Sequence, residues 1–150
     1  MHRWIRLARK FWRLPANRKW LVVEAALYLL LARLVLALLP FRKLVWFLNR
    51  VPKPSRLSEA QRELLRKEVS WAITATAAYL PGKTVCFPRG IAAQAMLRRR
   101  GIAATFYYGA ATVHDEGLAA HVWVKDGKQG VVGHLEAGQF KVLAVYPASA

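Results

Sequence analysis

At Gly101 the apolar residues of this chain change their spacing, from every three or four positions before it to every second position after it. That switch divides the chain into a helical part and a sheet part. Upstream, Ala92, Ala93, Ala95, Met96 and Leu97 form a strong helix-forming run. Pro88 suits its first turn, where a backbone N–H has no helical partner to lose. Arg98, Arg99 and Arg100 fall in the last turn, where cations complement the helix dipole, and Gly101 fits the position just past the end. Downstream, residues 104–111, 119–125, 129–135 and 140–146 read as four strands, with Asp126-Gly127 as a two-residue hairpin turn between the second and third. An earlier helix starts at Ser58, whose spacing from Gln61 is that of a capping box. Leu65, Val69, Ala72, Thr76 and Tyr79 give that helix one buried face, and Pro81-Gly82 stops it. Helices followed by an antiparallel sheet predict an α+β domain.

Charge separates a further segment. Val51-Pro52-Lys53-Pro54-Ser55 reads as a linker, because two prolines one residue apart cannot continue a helix. Residues 1–56 hold 13 of the 24 Lys and Arg but one acidic residue, so they carry +12 of the net +16. Aromatic and aliphatic residues, among them Trp4, Trp12 and Leu14, are interleaved with Arg3, Arg6, Arg9, Lys10, Arg13, Arg18 and Lys19. Trp20 to Leu39 then forms a nearly unbroken apolar run, about the length that crosses a bilayer. Glu24 and Arg33 interrupt it on opposite sides of a helix, and each costs roughly 2.5–3.5 kcal/mol near the bilayer centre. Basic residues flank both ends, so the run has no charge-encoded orientation. No site for signal-peptide cleavage follows it. The expectation is a helix at a membrane interface, or one packed on the following module or a partner; a very hydrophobic core helix is the alternative. Segment 1–56 is thus read as a basic apolar anchor, and 57–150 as the module that carries the chemistry.

The single cysteine excludes an intramolecular disulfide and a Cys-rich zinc site, and it suits a reducing cytoplasm. Four histidines lack H-x-x-x-H spacing, and neither a phosphate-binding loop nor G-x-G-x-x-G occurs, so no metal and no cofactor is expected. Cys86 stands at the start of the helix through Pro88. Unpaired N–H groups and the positive dipole end favour a thiolate there. Position alone leaves a small core residue as the alternative. His121 lies mid-strand in Ala119-Ala120-His121-Val122-Trp123-Val124, sharing a face with Trp123. A lone His in such a strand is often a core residue. A Cys at a helix start and a His on a following strand are nonetheless the minimal parts of a nucleophile and its base, provided the helix packs on the sheet. Trp123, Tyr107 and Tyr108 are either groove or core, and His114-Asp115-Glu116-Gly117 reads as a solvated turn.

The ordered segments Val85-Cys86-Phe87-Pro88-Arg89-Gly90-Ile91-Ala92, Leu97-Arg98-Arg99-Arg100-Gly101-Ile102 and Ala120-His121-Val122-Trp123-Val124 resemble the lasso-peptide leader peptidase. This is the transglutaminase-like (papain-like) half of the lasso maturation B protein, without its leader-recognition half. The resemblance covers residues 57–146 and implies a cysteine peptidase with Cys86 as nucleophile and His121 as general base. It implies three partners: a ribosomally made precursor peptide, a separate leader-recognition protein, and an asparagine-synthetase-like cyclase.

The family's third member, an Asp on the strand after the His, has no counterpart. A turn at Asp126-Gly127 pairs His121 with Val132, leaving His134 as a diagonal neighbour. His134 is therefore the favoured orienting residue, with Glu136 and Asp126 behind it; a bulge would shift this register by one. Two other classes stay open. One is an acyl or amide transferase using the same Cys and His. The other is a non-enzymatic basic adaptor, whose tryptophans suit membranes or nucleic-acid bases, although no nucleic-acid-binding signature occurs and no such partner is expected.

Overall fold

A computed structural model describes residues 6, 9–80, 86–113 and 117–147 of the chain. Pro81-Gly82 and His114-Asp115-Glu116, to which the sequence assigns turns, lie outside the described residues. Helix α1 (Ala16–Leu38) and the short α2 (Phe41–Leu48) meet at Pro40, and non-helical residues 51–58 follow as the Pro-rich linker requires. Helix α3 (Glu59–Ala77) opens with the expected capping box. The Gln61 amide donates to Ser58 Oγ at 3.2 Å, and the Ser58 amide donates to Gln61 Oε1 at 2.9 Å. Tyr79, expected on the buried face of α3, is 42% exposed because the helix has already ended.

Helix α4 (Cys86–Arg99) is the centre of the fold. Its end is a Schellman cap: the Ile102 amide donates to Leu97 O at 3.0 Å and the Gly101 amide to Arg98 O at 2.9 Å. Pro88 and every residue from Gly90 to Leu97 are buried, since α1 and α3 cover one side of α4 and the sheet covers the other. A Cβ at Gly90 would run into the buried side chains of Val122 and Phe106, so this glycine lets α4 approach the strands.

Four antiparallel strands follow: β1 (Thr105–Val113), β2 (Gly117–Asp126), β3 (Gln129–Val132) and β4 (Lys141–Tyr146), in the order β3-β2-β1-β4. The class is α+β, as expected. Two details differ from expectation. The hairpin turns at Gly127-Lys128, with Asp126 still paired to Gln129. The third strand ends at Val132, short of the expected Leu135, because Gly133 adopts φ +66° and turns the chain away.

Asp126 stays in the strand for an electrostatic reason. It is buried and accepts from Arg62 Nη2 at 2.9 Å and from Arg66 Nη1 at 2.7 Å, both on α3. Arg66 also donates to Glu59 at 2.6 Å. Burial disfavours the Arg66 charge, yet its two carboxylate partners more than offset this and raise its pKa. Removing one side of such a buried pair costs roughly 3–5 kcal/mol, so the contact locks α3 to the β2–β3 hairpin.

The N-terminal helices share one core with the rest. Ala25, Leu29 and Ala32 of α1, with Leu44 and Leu48 of α2, are buried in the same cluster as Ile73, Met96, Phe106 and Val122. Glu24, one of the two charges that interrupt the apolar run, is gripped by Arg100 at 3.0 and 2.7 Å, with Arg99 at 3.5 Å. The basic run that ends α4 thus fastens α1 to the module. Buried Gln94 completes the junction by donating to the carbonyls of Leu48, Ala104 and Tyr146 at 3.0–3.3 Å.

Candidate active site

Cys86 is the first residue of α4 and is partly exposed. It sits at the helix end where first-turn amides lack helical partners, and α4 holds it rigidly because nearly every residue behind it is buried. Its thiol points at strand β2, with Sγ 4.0 Å from the carbonyl oxygen of Ala120. The next residue on that strand is His121. The helix-on-sheet packing thereby brings the two residues to one place.

A cavity of about 480 Å³ lies between α3, the start of α4, and the β2–β3 edge. Cys86, Arg89, His121, Gly133, His134 and Glu136 line it, with Ser70 and Thr74 from α3. Of the residues singled out from sequence, Cys86, His121, His134 and Glu136 share this cavity. Asp126 does not, being committed to Arg62 and Arg66.

His121 is 9% exposed and held on several sides. Its ring stacks on Phe140 at 4.9 Å and on Trp123 at 6.1 Å between centroids. Trp123 is itself buried and stacks on the half-buried Tyr107 at 5.6 Å, while Tyr108 packs against the core cluster. His121 Nε2 lies 2.8 Å from the carbonyl oxygen of Gly133. A carbonyl only accepts, so Nε2 carries the proton in the neutral ring and Nδ1 keeps its lone pair. Glu136 Oε2 stands 3.6 Å from the same nitrogen on an exposed side chain.

This arrangement replaces the expected neighbours of His121. Near the turn, Lys125 pairs with Gly130; a bulge then intervenes, and Val124 pairs with Val132. Continued past the end of β3, this register sets His121 among Gly133 and Leu135 rather than opposite Val132. The bulge thus turns Gly133 toward His121, while the His134 ring packs over Gly130, where a side chain would otherwise stand. His134 Nδ1 is buried with no hydrogen-bond partner among the described residues. Gly133 could not be another residue. A Cβ there would collide with the carbonyl of Val122 and lie 3.2 Å from His121 Nε2, in a left-handed backbone that disfavours side chains.

Four of these residues escape sequence reasoning. Gly133 contributes a backbone atom, which no side-chain pattern announces. Phe140 is readable only as a strand-starting apolar residue. Ser70 and Thr74 do leave a signal, since their spacing of four puts them on one face of α3. Among the described residues, no group of three or more His, Cys, Asp or Glu is arranged to hold a metal ion.

A family model described as "Transglutaminase-like superfamily" matches residues 26–145. No curated protein and no solved structure matches the chain.

Proposed function

The chain belongs to the transglutaminase-like superfamily, which contains cysteine peptidases and transferases, and we propose that it is a cysteine peptidase removing the leader from a ribosomally made lasso-type precursor. One observation carries the reading. Cys86, at a helix N-terminus, and His121, with Nε2 committed to the Gly133 carbonyl, line the same cavity.

In the proposed reaction, His121 Nδ1 takes the thiol proton and the Cys86 sulfur attacks the carbonyl carbon at the leader–core junction. First-turn amides of α4 stabilise the oxyanion. The C–N bond breaks, the imidazolium returns its proton to the departing core amine, and the leader stays on sulfur as a thioester. Water, its proton taken by His121, releases the leader as a carboxylic acid. Water can reach the sulfur, because Cys86 is itself partly exposed. The resemblance of the Cys86 and His121 segments supports the choice of substrate, with a leader-recognition protein as the partner that delivers it and an asparagine-synthetase-like cyclase taking the core. The cytoplasm suits a lone reduced thiol.

Full-length protein, precursor and recognition partner, analysed by mass spectrometry, test this reading. The expected products are a leader ending in a free carboxylate and a core with a free amine. A leader capped by added amine as the main product identifies a transferase instead, and no product at all contradicts both.

In the same reading the Gly133 carbonyl orients His121, with the exposed Glu136 carboxylate standing beside the same nitrogen. Glu136→Gln is expected to lower kcat by up to about tenfold, since exposed charges contribute little. His134→Ala should leave kcat little changed. A loss of kcat with His134→Ala that exceeds the loss with Glu136→Gln would return the orienting role to His134.

A further inference from the structure

We propose that helix α1 docks this protein on an anionic bilayer surface, lying in the membrane plane with its outer face in the headgroup region. The proposal does not depend on the peptidase reading.

Ala25, Leu29 and Ala32 are at most 2% exposed and face α3 and α4. On the opposite side, Trp20, Val23, Leu27, Leu30, Leu31, Leu34 and Leu38 are all 45–73% exposed. At 100° per residue these seven fall within an arc of roughly 100°, and they extend over about 27 Å of helix. No charged residue falls inside that arc. Glu24 sits at its margin, turned into the protein toward Arg100. An apolar stripe of this size on a folded domain marks a surface that something covers.

Charge identifies the occupant. Exposed Arg9, Lys10 and Arg13 precede the helix and exposed Arg42 and Lys43 follow it, so both ends of the stripe are basic. Trp12, 74% exposed, lies 5.4 Å from the Lys19 ammonium, an amphipathic pair suited to the headgroup level. A second copy of the chain would bring two segments of +12 together, whereas a surface of anionic lipid neutralises them.

Helix α1 is long and apolar enough to cross a membrane, but its attachments exclude that orientation. Keeping its contacts with α4 while spanning would drag Arg98, Arg99 and Arg100 into hydrocarbon, each at roughly 2.5–3.5 kcal/mol. Lying flat keeps every one of those contacts. It also leaves the sheet and His121 on the far side of α4 from the lipid.

Co-sedimentation of the full-length protein with vesicles tests this. Binding is expected to phosphatidylglycerol-containing vesicles and to be at least about tenfold weaker to pure phosphatidylcholine, with salt weakening the former. The double variant L27E/L34E alters two exposed positions, so its far-UV circular dichroism should match the parent while anionic-vesicle binding falls roughly hundredfold. Alkaline carbonate should release the bound protein. Failure to bind anionic vesicles, retention through carbonate, or a stable dimer that the double variant dissolves would each overturn the proposal, the last by identifying a second copy as the occupant.

Discussion

Cys86→Ala is expected to reduce leader cleavage by at least roughly 10⁴-fold, with precursor binding unchanged. Covalent catalysis has no substitute for the sulfur here, and removing the nucleophile of such a unit typically forfeits four to six orders of magnitude. The fold should survive. Cys86 is partly exposed at the first position of α4, and among the described residues its side chain's only polar contact is a 4.0 Å approach to the Ala120 carbonyl. Quantitative mass spectrometry of cleaved precursor, alongside a binding measurement on the same sample, separates lost chemistry from lost structure. Cleavage within about tenfold of the parent would remove Cys86 from the reaction.

Gly133→Ala should produce the next largest loss, although no side chain of Gly133 takes part. The new Cβ meets the Val122 carbonyl, a backbone atom in the middle of β2, so neither side can yield cheaply. The left-handed backbone at φ +66° adds strain of roughly 1–2 kcal/mol for any residue with a Cβ. Relief requires the turn after β3 to move, taking its carbonyl from His121 Nε2. With that acceptor gone the imidazole has no fixed tautomer and a looser aim, and displacements of about 1 Å at a base can cost 10²-fold. The expected outcome is a kcat roughly 10- to 100-fold lower, KM little changed, and a melting temperature a few degrees lower. An unchanged kcat would show that the Gly133 carbonyl does not hold the base.

These two residues illustrate what was readable before the structure. Cys86 announced itself because helix starts are local: Pro88, the alanine run and Gly101 all lie within sixteen residues of it. The capping box at Ser58 and the Schellman cap after Arg99 were legible for the same reason. What sets the surroundings of His121 is not local. The hairpin closes at Gly127-Lys128 because Arg62 and Arg66, some sixty positions earlier, hold Asp126 in the strand. The bulge that follows reverses which face of the chain reaches His121, so Gly133 arrives where the alternation of the sequence pointed to His134.

The apolar run in the first fifty residues follows the same logic. Its composition is consistent with a span, an interfacial helix or a core helix, and only its contacts with α3 and α4 divide it into a buried and an exposed face. Glu24 depends on a partner that no local pattern shows. Counted alone it is a charge on an apolar helix, and its Arg100 partner lies 76 positions away.

The most direct test of the account is the covalent state of Cys86 during turnover. Precursor, recognition partner and full-length protein should be mixed, quenched in acid after a fraction of one turnover, and the Cys86-containing peptide weighed. The prediction is a mass increase equal to the leader less one water, sensitive to hydroxylamine as a thioester is. Core peptide released with Cys86 unmodified at every time point, and with no leader hydroxamate formed when hydroxylamine is present during turnover, would contradict it.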